Sequence, residues 1–313
     1  MALSLNATAC SVSNETGSEA FPEPIDVAMQ TWIGYGYAVI AEENGYFEDM
    51  DVNLSIVEDG SLLVDTLSSG QTEIIGTTLD QFVLRRTNGL PAQLFLLTDD
   101  SYGGDGLVVD PSIKDFADLK GRTIAYTPGP SSEYVLATAL KANGLSFSDV
   151  KLRDFADPAD GAAAFVSGQV DAVMAFQPFL SQAQQREDGV LLFNTTSFPN
   201  ISLGCFAVNE NVPNKKAVVE RFNTGVEKAR LWAEENRDDA DKILRDFFRV
   251  NQDTLDEMRG GARLKGAPDN AEIFGDGITE MLAKVEAHYR ERGTAGDTAI
   301  DGTALVEGVA DTF

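Results

Sequence analysis

The chain has 313 residues and a formal net charge of −26, with 24 Lys and Arg set against 50 Asp and Glu. That balance argues against nucleic acid and anionic membrane surfaces, which need a basic footprint, and its dispersion along the chain suits a solubilising surface. A single His and two Cys argue against a histidine-based metal site and a disulfide framework, and no apolar run is long enough to span a bilayer.

Residues 1–24 read as a disordered leader, an acidic tether or the remnant of a processed precursor. Met1 to Phe21 carries no Lys or Arg, and Ala2-Leu3-Ser4-Leu5 is too short for a complete signal peptide. Cys10 follows Ala7-Thr8-Ala9, a weak lipid-attachment context. Ile25 to Met29 is the first expected strand. Polar corner Gln30 to Gly36 follows, then helix Tyr37–Asn44, strand Val52–Val57 and helix Leu62–Ser68, capped by Asp59 or Ser61. Strand Ile74–Gly76 ends at Thr77-Thr78-Leu79-Asp80, which opens a helix toward Asn88-Gly89. Leu94–Leu97 is a strand, Ser101 to Gly106 a flexible polar link, and Leu107–Val109 a strand in a second lobe.

Strand Thr123–Tyr126 leads to corner Thr127 to Ser132, with Ser131 as expected cap of helix Ser132–Asn143. Val150-Lys151-Leu152 continues the pattern. Asp157-Pro158 opens helix Ala159–Ser167, proline being favoured at the first helical position. Val170–Phe176 is a short apolar strand interrupted only by Asp171, as in a strand covered on both faces. A helix then runs to about Arg186, followed by strands Val190–Asn194 and Leu203–Val208, the latter recrossing the link. Helices Lys215–Asn236, Ala240–Phe248, Gln252–Gly260 and Ala271–Arg292 complete the expected chain.

These elements repeat. At an offset of about 98 or 99 positions, Ser167-Gly168-Gln169 and Asp171 answer Ser69-Gly70-Gln71 and Glu73, and Gly144 answers Gly45. Each half reads strand, helix, strand, helix, strand, the order of a parallel sheet with helical crossovers. In such sheets ligands bind beyond the carboxyl ends of the strands. Four corners fall there: Trp32-Ile33-Gly34-Tyr35, Thr77-Thr78-Leu79-Asp80, Pro130-Ser131-Ser132 and Phe176-Gln177-Pro178. Hydroxyls or glycine just before a helix place free N–H groups where an anion is favoured. Capping alone accounts for Ser131 or Thr78 taken singly; their equivalent placement points to a site. Trp32 and Tyr35 are expected to line a pocket rather than fill the core.

The ordered segments GYFED, SGQTE, GGDGLVV, DLKGRTIAY, GPSSEYVL, ANGLSFSDVKL, AAAFVSGQVDAVMAFQPFLS and WAEEN resemble the substrate-binding proteins of ABC importers for nitrate, taurine and alkanesulfonates, a group that includes thiamine-pyrimidine binders. The resemblance runs from about Ile25 to Gly275. It implies an α/β, two-lobed, periplasmic-binding-protein-like fold of type II. The expected lobes are 25–105 with 208–313, and 106–207. Family segments that line the cleft fall on Trp32, Gly34, Tyr35, Thr77, Thr78, Asp80, Asp105, Pro130, Ser131, Ser132 and Gln177. Many relatives have Glu-Pro at Gln177-Pro178, and taurine binders carry an acid near Gly204. Without those carboxylates a small anion or neutral polar solute, sulfonate- or nitrate-like, is the better fit, although Asp80, Asp105 and Glu133 keep a cationic group open.

The resemblance further implies a monomer without cofactor or metal. It would act at the periplasmic or extracellular face of the membrane, lipid-anchored if Cys10 is modified, and would deliver its solute to a permease and its ATPase. The alternative is an enzyme on the same fold, like the yeast-type pyrimidine synthases or menaquinone-pathway enzymes. The synthases use a cysteine-rich motif and histidines, whereas the only histidine here is His288. Asp105 could still serve as a base. A sensing module of a signalling protein is the third class, but no output domain is visible.

Overall fold

A computed structural model describes residue 21 and residues 24–128 and 131–313. The first half runs β1 (Ile25–Met29), α1 (Gly36–Glu43), β2 (Val52–Ile56), α2 (Gly60–Ser68), β3 (Ile74–Thr78), α3 (Leu79–Thr87) and β4 (Ala92–Ser101). The second runs β5 (Asp105–Val109), β6 (Thr123–Tyr126), α4 (Ser132–Ala142), β7 (Lys151–Asp154), α5 (Pro158–Val166), β8 (Ala172–Phe176), α6 (Phe179–Ala183) and β9 (Val190–Asn194). Strand β10 (Leu203–Asn209) follows, then α7 (Lys215–Glu235), α8 (Arg237–Phe248), α9 (Gln252–Gly260), β11 (Ala262–Leu264), α10 (Ala267–Glu272) and α11 (Ile278–Glu291).

Two sheets result. The first has order β11-β4-β10-β3-β1-β2 and the second β7-β6-β8-β5-β9. Within each, three parallel strands share one arrangement: β2-β1-β3 and β7-β6-β8. Each trio is flanked by an antiparallel strand reached by a chain crossing, β10 beside β3 and β5 beside β8. The repeat is therefore topological as well as sequential. Its local chemistry repeats too. Asp59 Oδ1 accepts from the Ser61 and Leu62 amides at the start of α2, and Asp157 Oδ1 from the Ala159 amide at the start of α5. Both helices end in a glycine with positive φ, Gly70 at 72° and Gly168 at 73°, a conformation that costs L side chains energy.

Strands β8 and β10 are buried throughout, because helices or neighbouring strands cover both faces. Arg86 is also buried. It donates to the carbonyls of Ala92 (2.6 Å) and Thr303 (3.0 Å) and pairs with Glu210, tying the C-terminal segment to the first sheet. Helix α11 packs against α3 and reaches α4 of the other half. There Glu133 pairs with Arg292 at 2.8 Å, Lys141 with Glu291 at 2.7 Å, and the Tyr134 ring meets His288 edge-on at 4.7 Å.

Four expectations need correction. Residues 101–106 are not a flexible link: Ser101 ends β4, Asp105 and Gly106 open β5, and all three are buried. Strand β4 extends well past Leu97, since β10 and β11 pair with its polar end. Strand β11 was not expected, being three residues stabilised by pairing with β4. The helix expected over Ala271–Arg292 is divided by a π-helical turn at Ile273–Gly277. Cys10 and the rest of the leader lie outside the described residues.

Candidate functional site

The carboxyl ends of β1 and β3, the polar end of β4 and the start of β10 meet the start of β5, the entry to α4 and the end of β8 at one cavity. Its volume is about 30 Å3, and it is lined by Gln30, Trp32, Tyr35, Thr78, Asp99, Asp105, Ser131, Phe176, Ser202 and Gly204. A space that small holds one or two waters. A larger solute therefore requires the two sheets to separate or side chains to move.

Two carboxylates dominate the lining. Asp99 on β4 is 1% exposed; Trp32 Nε1 donates to its Oδ2 at 2.9 Å and Thr98 Oγ1 to its Oδ1 at 2.8 Å. Gly34 and Gly204 bracket it, and a Cβ at either would overlap Asp99 Oδ1. Asp105 on β5 is 3% exposed; it accepts from Ser101 Oγ at 2.5 Å and Ser131 Oγ at 3.3 Å. Burial raises the Asp99 carboxyl to about 7 against the pull of the Thr98 and Trp32 hydrogen bonds, and Asp105 adds negative charge. Burial likewise raises Asp105 to about 6, opposed by Ser101 and Ser131. Among the described residues neither acid has a cationic partner, and the lining contains no Lys, Arg or His.

The hydroxyls around them are linked across the halves. Ser131 Oγ lies 2.7 Å from Ser202 Oγ, and Ser101 Oγ 3.0 Å from Thr195 Oγ1. Tyr35 OH donates to the Thr77 carbonyl at 2.9 Å, and the Trp32 ring meets Phe176 edge-on with centroids 6.4 Å apart.

Of the residues expected from the sequence, Trp32, Tyr35, Thr78, Asp105 and Ser131 line this cavity. Ser131 does not cap α4 with its side chain, because its hydroxyl serves Asp105 and Ser202 instead. Gly34 sits behind the lining, leaving room for Asp99. Thr77 contributes its carbonyl to Tyr35, and Ser132 is fully buried beneath the entry to α4. Gln177 turns away: its side chain donates to Ser181 Oγ at 2.9 Å and accepts from the Ser181 amide. Asp80 faces a separate cavity of about 310 Å3 beside Tyr134 and Ile201 and accepts from Tyr289 OH at 3.1 Å. Pro130 lies outside the described residues.

The sequence reading missed Asp99, Ser202 and Gly204 as neighbours. The available signal was Thr98-Asp99-Asp100-Ser101 directly after an apolar strand, which reads as a solvated strand end until pairing with β10 buries it. The expectation that the acid near Gly204 is lost also changes. Asp99, across the ladder on β4, fills the space that Gly204 leaves.

Histidine and cysteine lie off this constellation. His288 rests against Tyr134 and Tyr289, and burial together with Arg292 lowers its pKa to about 4. Cys205 is wholly buried, which raises its thiol well above the usual range. Among the described residues no group of three or more His, Cys, Asp or Glu is placed to hold a metal, and no helix is long and apolar enough to cross a membrane.

The sequence profile described as NMT1/THI5 like matches residues 35–240. The chain belongs to the NMT1/THI5-like family. A Bacillus subtilis protein provisionally named an aliphatic sulfonates-binding protein is 25% identical over 310 residues, covering 95% of this chain and 90% of that protein. The alkanesulfonate-binding protein SsuA of Xanthomonas axonopodis bound to MOPS matches with TM-score 0.73 at 18% identity, over 92% of this chain and 99% of that one. The desulfurization enzyme DSZB matches with TM-score 0.63 at 15% identity, over 92% and 98%. These structures establish the two-lobed α/β fold of binding proteins for this family member. The same fold carries an enzyme, so the architecture does not choose between capture and catalysis.

Proposed function

We propose that the chain is the solute-binding component of an ABC importer. It captures a small polar solute between its lobes and delivers it to a membrane permease on the periplasmic or extracellular side. One observation carries this reading: residues from both sheets converge on a single cavity at the chain crossings, so a bound solute would bridge the lobes. Such a solute stabilises the closed arrangement by its differential affinity for it. The lobes follow the two sheets, and because β10 pairs within the first sheet, the return crossing lies ahead of Leu203. The named relative from Bacillus subtilis supports capture, while the cavity's lack of a basic side chain gives no support to a sulfonate- or nitrate-like anion.

The test is a thermal-shift screen followed by an ATPase assay of the cognate importer in proteoliposomes. A true solute raises the unfolding midpoint through selective binding to the native state and, with this protein present, stimulates ATP hydrolysis. A compound consumed by the purified protein alone would instead establish the enzyme reading, with Asp105 as the first candidate base.

A further inference from the structure

We propose that the cleft selects a solute bearing a protonated nitrogen, an ammonium or amidinium group, whose charge sits between Asp99 and Asp105. The inference rests on the solute-binding reading and names the class of solute. Its basis is a charge imbalance in one small space. Two carboxylates, each nine-tenths or more buried, line the same cavity of about 30 Å3 and, among the described residues, receive hydrogen bonds only from neutral donors: Trp32, Thr98, Ser101 and Ser131. A buried carboxylate lacking a cation is costly unless it is neutralised. The fold nonetheless makes room for one of them, since side chains at Gly34 or Gly204 would displace Asp99.

The feature that would favour an anion is already engaged by the protein. Ser131, at the N-terminus of the eleven-residue helix α4, donates to Asp105. A sulfonate would be repelled by either acid in its ionised form, whereas a protonated nitrogen would favour ionisation of both and donate hydrogen bonds to them. Trp32, Tyr35 and Phe176 supply an aromatic wall suited to the cation's substituents.

The surrounding ionisable groups reinforce the sign. Asp80 on α3 and Asp100 on β4 add negative potential at Asp105, and Asp100 does so at Asp99. Tyr35 and Cys205 are neutral through burial. The cations Arg263 and Lys265, on and just beyond β11, act on Asp100. Entry of a cation would therefore ionise the acids and release protons to solvent near pH 6.

The experiment compares matched probes by isothermal titration calorimetry at pH 6 in two buffers of different ionisation enthalpy. Ethylammonium, ethanolamine and acetamidinium are set against ethanesulfonate, nitrate and acetate. Binding by at least one cation, proton release on binding, and at least tenfold weaker binding in both Asp99→Asn and Asp105→Asn would support the proposal. Circular dichroism confirms that the variants are folded. Binding by an anion alone, retained in Asp99→Asn, overturns it while leaving solute capture intact. Silence of the cations also overturns it. If no solute from either set or from the wider screen stimulates the importer ATPase, the capture reading falls with it.

Discussion

The two sheets share a core arrangement but contribute differently to the cleft. Strands β2-β1-β3 and β7-β6-β8, their capped helices and their terminal glycines repeat almost position for position. The corners do not. The first half presents Trp32, Tyr35 and Asp99, while the second presents Asp105, Ser131 and Phe176. The first half also continues from β3 into the nine-residue helix α3, whereas the second continues from β8 into the five-residue α6. Turn chemistry held in common builds the lobes, and the residues that break the repeat build the site.

The largest expected effect tests the unrepeated acids. Their carboxyls titrate higher in the folded chain, so between about pH 4 and about pH 7 the native state binds more protons than the unfolded one. Stability contributed by these groups therefore falls as pH rises across that window and levels off above it. Thermal unfolding of wild type should show this loss, and the Asp99→Asn/Asp105→Asn double variant should show less of it. Next is Arg86, which has two carbonyls and Glu210 as partners. Arg86→Met should cost about 3 kcal/mol in urea unfolding, because a buried network loses one member.

Gly204→Val should cost about 2 kcal/mol through overpacking and weaken solute binding by at least tenfold, since the new side chain displaces Asp99. The repeated glycines sharpen the comparison. Gly70→Ala and Gly168→Ala should each cost about 1 kcal/mol, the penalty of a left-handed alanine, leaving solute affinity unchanged. Unequal costs would show that the repeat is not energetic. Smallest is Lys141→Ala at an exposed ion pair, with a change of about 0.5 kcal/mol or less.

Much of the fold was legible because short-range rules govern it. Asp59 and Asp157 cap helices within two or three residues, and Gly70 and Gly168 end them. The site was half legible. Trp32, Tyr35, Thr78 and Ser131 sit at corners that the strand order exposes, while Asp105 was indicated only by the family resemblance. Asp99 was not, because its burial depends on a strand more than 100 positions away: Gly204 pairs with it across the ladder. Gln177 misled for the opposite reason, since a local partner, Ser181, takes its amide. β11 could not be read from three residues whose stability comes from β4.

The seam where α11 meets α4 bears on the lifetime of any captured solute. It includes the exposed Lys141–Glu291 pair, the Glu133–Arg292 pair and the Tyr134 ring against His288 and Tyr289. Such pairs are individually weak and are screened by salt. Besides the solute's own contacts, parting the lobes breaks this seam together with the Ser131–Ser202 hydrogen bond and the Trp32–Phe176 edge contact at the cleft. Rising ionic strength would shorten the wait for release, making the seam a brake whose grip follows the saltiness of the surroundings.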